Sequence, residues 1–287
     1  MRNFTIIGVG LLGGSLGLAL KGRFAGCRVV GCAHRDASLI EAERLGVVDT
    51  WTLDPAAAVR DADCVVVCVP VRQVGPWLAK IGPHLKAGAI VTDVGSTKAA
   101  IVKAGETHVT APAFFVGSHP MAGGSQSGVA AARADLFDGA TCVLTPTPAT
   151  NAEALAAVDD LWKTLGMRVV RHAPAEHDRL VARVSHLPHA VAAALVAVQS
   201  DASIDLRGKG FTDTTRIAAG EAGLWRDIFL DNRENVVGAI DALMNELQGV
   251  REILAATDEA RLIDWLGQQQ RRRAKIDSDV GDGFGAA

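Results

Sequence analysis

The sequence predicts an α/β fold: a doubly wound parallel sheet over residues 1–172, followed by an all-helical region over 173–276. Three observations carry this. An apolar run, Thr5-Ile6-Ile7, ends in Gly8-Val9-Gly10-Leu11-Leu12-Gly13 and opens into a helix of small residues. Apolar strand-like runs then alternate with helix-like runs as far as Val170, which implies right-handed crossovers between parallel strands. From about Pro174 onward only helix-like periodicity remains.

Each element can be read in order. Gly8 allows the tight turn out of the first strand, Gly10 lets a pyrophosphate approach the backbone, and Gly13 lets the helix pack closely on the sheet. Leu11 and Leu12 open that helix, whose free amides face the anion. The motif between strand and helix makes the sheet Rossmann-type and predicts a bound nicotinamide dinucleotide; a glycine-rich turn that binds nothing is the alternative. Arg28 to Ala33 reads as the second strand, and a helix from Ser38 to Leu45 stops at Gly46. Asp54-Pro55 looks like an N-cap with proline at the first helical position. Cys64 to Val69 is a continuous apolar strand of the kind covered on both faces. A helix around Val74 to His84, a strand Ala89 to Asp93 and a helix Thr97 to Ala104 follow. Later strands are expected at Phe114 to Val116, Ala140 to Leu144 and Arg168 to Val170, with a Thr150-x-x-Glu153 capping box opening a helix that ends at Gly166.

The helical half is expected as Glu176 to Gln199, Glu221 to Asn245 and Val250 to about Arg272, with residues 277–287, rich in Asp and Gly, forming a disordered tail. Ala190 to Val198 is apolar nearly all round, and such a helix requires burial. A homodimer through this half would supply it. The 287-residue chain has a net charge of −3 and no basic run inside the fold, so nucleic acid is not expected as a partner and an anionic substrate needs local cations. The chain runs straight into its first strand, and no apolar stretch reads as long and clean enough to span a bilayer. The expectation is a cytoplasmic protein. Five cysteines without a C-x-x-C pair read as buried thiols, with no disulfide and no metal site.

Several residues are candidates for chemistry. The second strand ends in Ala33-His34-Arg35-Asp36, where an acidic residue would bind the ribose 2′-hydroxyl of NAD and an arginine would accept the 2′-phosphate of NADP. His34 and Arg35 favour NADP, with Asp36 as the competing feature. Ser96, in Asp93-Val94-Gly95-Ser96-Thr97-Lys98, either hydrogen-bonds a reacting group or N-caps the next helix. His119 lies between glycines and a proline in Gly117-Ser118-His119-Pro120-Met121-Ala122-Gly123-Gly124, in a shaped loop, and titrates near neutrality; it suits the abstraction of an alcohol proton as hydride leaves. His186 and His189 are three apart on one helix face, with Pro188 kinking the helix between them. They read as substrate hydrogen-bonders or as satisfied helix histidines. Arg216 offers a planar fork to a carboxylate, or pairs with Asp213. Trp225 reads as a core or interface residue that could also wall a ring-shaped substrate.

Taken together, Gly8-x-Gly10-x-x-Gly13, Asp93-Val94-Gly95-Ser96-x-Lys98, Gly117 to Gly123, Ser185-His186-Leu187-Pro188-His189 and Phe211-x-Asp213-x-Thr215-Arg216 resemble the prephenate/arogenate dehydrogenase family of tyrosine biosynthesis, over nearly the whole chain. The resemblance implies a nucleotide-binding domain, a helical dimerisation domain, and oxidative decarboxylation of prephenate to 4-hydroxyphenylpyruvate with hydride passing to NAD(P). It implies that His119 accepts the hydroxyl proton, Ser96 orients it, Arg216 binds a substrate carboxylate, and His189 with His186 recognises the side chain or shapes the pocket. His189 leans toward prephenate, or toward a dual cyclohexadienyl dehydrogenase; an arogenate dehydrogenase giving tyrosine directly is the alternative. A non-catalytic NADP sensor would not need His119, Ser96 and Arg216 together. Other hydroxyacid dehydrogenases with a helical second domain usually rely on a lysine base. No regulatory or chorismate mutase segment is expected, so inhibition by tyrosine would act at the active site.

Overall fold

The computed structural model describes residues 1–124 and 126–281, with side chains through 276. Its first half alternates as β1 (Asn3–Ile7), α1 (Leu11–Arg23), β2 (Arg28–Cys32), α2 (Asp36–Arg44), β3 (Thr50–Thr52), α3 (Pro55–Val59), β4 (Cys64–Val67), α4 (Val71–Ile81), β5 (Ile90–Asp93), α5 (Ala99–His108) and β6 (Phe114–Val116). These strands form one parallel sheet in the order β3-β2-β1-β4-β5-β6. The order reverses direction between β1 and β4, and the crevice at their carboxyl ends is the site such a sheet offers a dinucleotide. Every residue of β4 is buried. Cys64 and Val66 enter the core shared with Leu16 and Leu20 of α1, while Val65 and Val67 enter the core shared with Trp77 and Leu78 of α4. A strand that feeds two cores by alternation must be apolar throughout, and this one is.

Two features depart from the sequence reading. β3 was too short to show a period; it adds an edge strand beside β2. A second sheet follows, formed by β7 (Ser118–Pro120), β8 (Thr141–Leu144) and, after α6 (Ala152–Thr164), β9 (Arg168–Arg171). β7 runs antiparallel to β8, so His119 sits on a strand opposite Val143 rather than in a free loop. The N-cap of α6 is Asn151, which accepts from the Ala154 amide at 2.9 Å. Thr150, the expected cap, instead accepts from the Thr147 amide. Asp54 caps α3 as expected, taking the Ala56 amide at 2.9 Å.

The rest is helical: α7 (Pro174–Val181), a π-helical turn at Ala182–His186, α8 (Leu187–Ala197), α9 (Asp201–Asp205), α10 (Lys209–Thr215), a single 3-10 turn at Arg216–Ala219, α11 (Ala222–Asp231), α12 (Arg233–Ala255) and α13 (Glu259–Gly281). The π turn precedes Pro188; the Leu187 amide reaches back to the Ala182 carbonyl, one residue further than in an α-helix. Pro174–Ala197 is long and apolar enough to cross a membrane by length and composition, contrary to expectation, because Arg183 is its only charged residue after Glu176, Asp178 and Arg179 in the first turns. Those first turns carry His177 and Asp178, which are buried in polar contacts described below. Helix breaks also fall elsewhere than expected. α11 stops at Asn232, whose side chain is engaged in tertiary hydrogen bonds. Gly249 is carried inside α12, which ends only before Thr257 at φ 51°.

The backbone forms two compact units, Met1–Arg233 and the segment from Glu234 onward. The first therefore includes α7 to α11 as well as both sheets. Residues 277–281, expected in a disordered tail, belong to α13, which runs through Gly281; residues 282–287 lie outside the described residues.

Candidate active site

The dinucleotide cleft is built by β1, α1 and the chain leaving β4. Gly8 adopts φ 91°, and a Cβ there would lie 2.5 Å from the Cys68 carbonyl oxygen. A Cβ on Gly13 would lie 2.0 Å from the Gly8 carbonyl oxygen, so only glycine lets α1 start this close to the strand. Around Gly10 there is open space. α1 has no side-chain cap, and its first-turn amides, including those of Leu11 and Leu12, have no intrahelical acceptor. The adjoining cleft of about 300 Å³ is lined by Gly8, Val9, Gly10, Ala33, His34, Arg35, Pro70 and Trp77, among others. An uncapped helix N-terminus, a glycine with free space and a groove at the switch point fit a dinucleotide's pyrophosphate and adenosine half. His34 packs its ring on Trp77, with centroids 4.7 Å apart. Arg35 is exposed ahead of α2, and its guanidinium forms no ion pair among the described residues.

A second cluster lies beyond the carboxyl ends of β5 and β6. Asp93 and Lys98 are fully buried and paired; the Lys98 ammonium also donates to the Ser118 carbonyl at 2.8 Å. Asp93 further accepts the Gly95 amide at 2.8 Å and the Ser118 amide at 3.1 Å. The Ser118 hydroxyl bonds the Asp93 carbonyl, Thr92 and the Trp162 indole. This network locks the backbone at Ser118, immediately before His119, which is 8% exposed. His119 Nδ1 lies 2.8 Å from His177 Nε2, and His177 Nδ1 lies 2.8 Å from Asp178 Oδ1. Asp178 also accepts the Lys98 amide at 2.7 Å and the Ala99 amide at 2.8 Å. A carboxylate from α7 thus caps α5. Ser96, one of the two roles expected for which was this cap, is half-buried and forms no side-chain hydrogen bond among the described residues.

The third cluster is aromatic. His189 stacks on Trp225 with centroids 3.5 Å apart and an interplanar angle of 13°, and it meets Phe229 edge-on. His186 approaches the same indole edge-on. The two histidines therefore share a face, as their spacing predicts. His186 Nδ1 lies 3.2 Å from the Asn232 amide nitrogen, and that nitrogen also donates to the Asp178 carbonyl at 2.8 Å. His189 Nδ1 is buried and has no hydrogen-bond partner among the described residues, an orphan suited to a ligand's polar group. A Cβ on Gly220 would lie 3.0 Å from the His189 ring, so the turn that begins with Arg216 ends against this stack. Arg216 is exposed, and Asp213 pairs with Lys209 instead.

Burial governs the protonation of these histidines. It pushes His119 well below its ordinary value, helped by the neighbouring His177 and Lys98. It lowers His177 against the opposing pull of Asp178, lowers His189, and brings His186 down to about 4. All four are neutral at pH 7. The sign of the stability effect follows. A base whose folded value lies below its unfolded value of about 6.5 leaves stability untouched above that pH and lowers it as pH falls toward the folded value. His186 alone lowers stability by about 1 kcal/mol at pH 5.5. Urea unfolding at pH 7.5 and 5.5 should show a lower midpoint at pH 5.5; equal midpoints would contradict the assignment.

The sequence reading missed His177, Asp178 and Asn232. His177-Asp178 follows Pro174-Ala175-Glu176 and reads as an ordinary acidic first turn, so an adjacent His-Asp pair at the fourth and fifth positions of a helix was the available signal.

Comparison with known proteins gives consistent matches. Residues 16–171 match the family model for the nucleotide-binding domain of prephenate dehydrogenase, and residues 173–268 match that for its dimerization domain. A prephenate dehydrogenase of Bacillus subtilis is 35% identical, over 91% of this chain and 72% of its own. A cyclohexadienyl dehydrogenase of Zymomonas mobilis is 34% identical, over 97% of both. Among solved structures, prephenate dehydrogenase of A. aeolicus in complex with hydroxyphenyl propionate and NAD+ superimposes with a TM-score of 0.90 at 34% identity, over 96% of this chain and 98% of that one.

Proposed function

The chain belongs to the prephenate dehydrogenase family, and from that premise we propose that it converts prephenate to 4-hydroxyphenylpyruvate by oxidative decarboxylation. Bound NAD(P) supplies the hydride acceptor. The observation that carries the reading is His119: a buried, neutral imidazole held rigidly at the carboxyl ends of the strands, where such sheets place their ligands. His119 takes the proton of the ring hydroxyl as the carbinol carbon gives up hydride, and a base that is unprotonated at neutral pH is ready for that step. Ser96, whose side chain forms no hydrogen bond among the described residues, orients the same hydroxyl. Arg216, free of Asp213, binds a substrate carboxylate through its fork. Trp225 walls the ring, and the orphaned His189 Nδ1 meets the substrate side chain. Loss of carbon dioxide leaves an aromatic ring, and that aromatisation drives the reaction forward.

The division of labour follows residues 1–172 for the cofactor and 173–276 for substrate and association. A homodimer is supported by apolar side chains exposed in the single chain: Val196 and Val198 at and just beyond the end of α8, Met244 and Leu247 on α12, and Ile263 on α13. In α8 only His189 and Ala192 are buried, although the helix is apolar nearly all round. Light scattering at micromolar concentration should return twice the chain mass. Arg35 supports use of NADP alongside NAD, since its unpaired guanidinium borders the cleft.

The test is reduction of NAD and of NADP with prephenate and with arogenate, followed at the reduced nicotinamide absorbance. Prephenate should be turned over faster than arogenate, and NADP at least as fast as NAD. Reduction of NAD only would overturn the Arg35 assignment. Inactivity with all four pairs would overturn the function.

A further inference from the structure

We propose that His177 and Asp178 are positioning residues that fix His119 in the tautomer carrying its proton on Nδ1, with Nε2 left as the basic nitrogen. This deepens, and rests on, the reading of His119 as the proton acceptor. Asp178 Oδ1 accepts the Lys98 amide at 2.7 Å and Oδ2 accepts the Ala99 amide at 2.8 Å, so the carboxylate is held at the start of α5 by two donors that cannot reverse. An ionised carboxylate only accepts, so the 2.8 Å contact from His177 Nδ1 must be a donated N–H. A neutral His177 with its proton on Nδ1 has a lone pair on Nε2. The 2.8 Å contact between His177 Nε2 and His119 Nδ1 then requires the proton on His119 Nδ1. The basic nitrogen of His119 is thereby assigned from a carboxylate two hydrogen bonds away.

The arrangement also stabilises the product of the proton transfer. When His119 Nε2 takes a proton, the imidazolium donates Nδ1–H to His177, and the opposing charge of Asp178 lies at the far end of the same hydrogen-bonded line. This is the role a buried aspartate plays behind a histidine base elsewhere, here with a second imidazole interposed. Geometry supports a purpose beyond capping. A cap needs only the Asp178 carboxylate, whereas His177, 1% exposed, uses both ring nitrogens to join Asp178 to His119.

The proposal is tested on the full-length chain. His177→Leu removes the acceptor for His119 Nδ1–H; His177→Gln retains a side-chain acceptor. With prephenate and saturating cofactor, H177L should lower kcat about 10- to 100-fold, with KM changed by less than about 3-fold, and H177Q should recover most of that loss. In an H119N background, H177L should have no further effect on kcat, because His177 acts only through His119. Nitrogen-15 NMR of histidine-labelled protein provides a readout independent of both turnover and mutant folding: His119 should show a protonated Nδ1 and a bare Nε2 at pH 7. A proton on His119 Nε2, or an H177L protein with unchanged kcat, overturns the positioning role. Full turnover by H119N would instead overturn the base assignment itself, so the two failures are distinguishable.

Discussion

Replacing His119 by Asn should lower kcat with prephenate by about 10²- to 10⁴-fold, the range a positioned general base contributes. The substitution suits the site: the Asn amide fits within the imidazole's volume and leaves the backbone of β7, held by the Ser118 network, in place. It removes the buried imidazole that meets His177 at 2.8 Å. The cofactor cleft is formed by other residues, so affinity for reduced cofactor, read by its fluorescence, should change less than about 3-fold. A variant turning over within 10-fold of the parent would show that another group takes the proton.

The largest effect on stability is expected at Lys98. Its side chain is fully buried, and its ammonium donates to Asp93 and to the Ser118 carbonyl. Lys98→Met keeps the volume of the stem but leaves the Asp93 carboxylate buried, with only the Gly95 and Ser118 amides as partners. Breaking a buried pair from one side costs about 3–5 kcal/mol, because the remaining charge loses its compensation without regaining water. The denaturant midpoint should fall accordingly. In the double variant with Asp93→Asn the loss should be smaller than the sum of the two single losses, since the uncompensated charge is gone. A Lys98→Met protein within 1 kcal/mol of the parent would mean that the pair contributes little. Turnover should fall too, because the network that Lys98 closes sets the backbone of His119.

How much of this was legible beforehand differs by element. β4 was readable because it is a contiguous apolar run that must satisfy two cores at once, β1 and β5 because Ile6-Ile7 and Ile90-Val91 are β-branched apolar pairs set between turn signals, and α1 because its glycines sit where close approach demands them. β3 and β7 were not: three residues cannot display a period, and β7 exists only through its pairing with β8. The cap of α6 was misplaced by one residue because Thr150 and Asn151 are both good caps, and only Asn151 reaches the Ala154 amide. His119, His186 and His189 could be singled out by their neighbours in sequence. Their partners could not, because His177 and Asp178 lie 58 and 80 residues from the groups they hold.

By itself the sequence determined the order of the parallel strands' building blocks, the dinucleotide turn, the change to helices after residue 172 and the histidines available for chemistry. These are local properties: periodicity, the missing Cβ of glycine, and residue type. Only the tertiary structure decided that His119 Nδ1 meets His177, which carboxylate caps α5, and that Lys98 is turned inward to Asp93 rather than outward to a ligand. Those outcomes depend on burial and on donors meeting acceptors across long stretches of chain, and neither is written in any short segment.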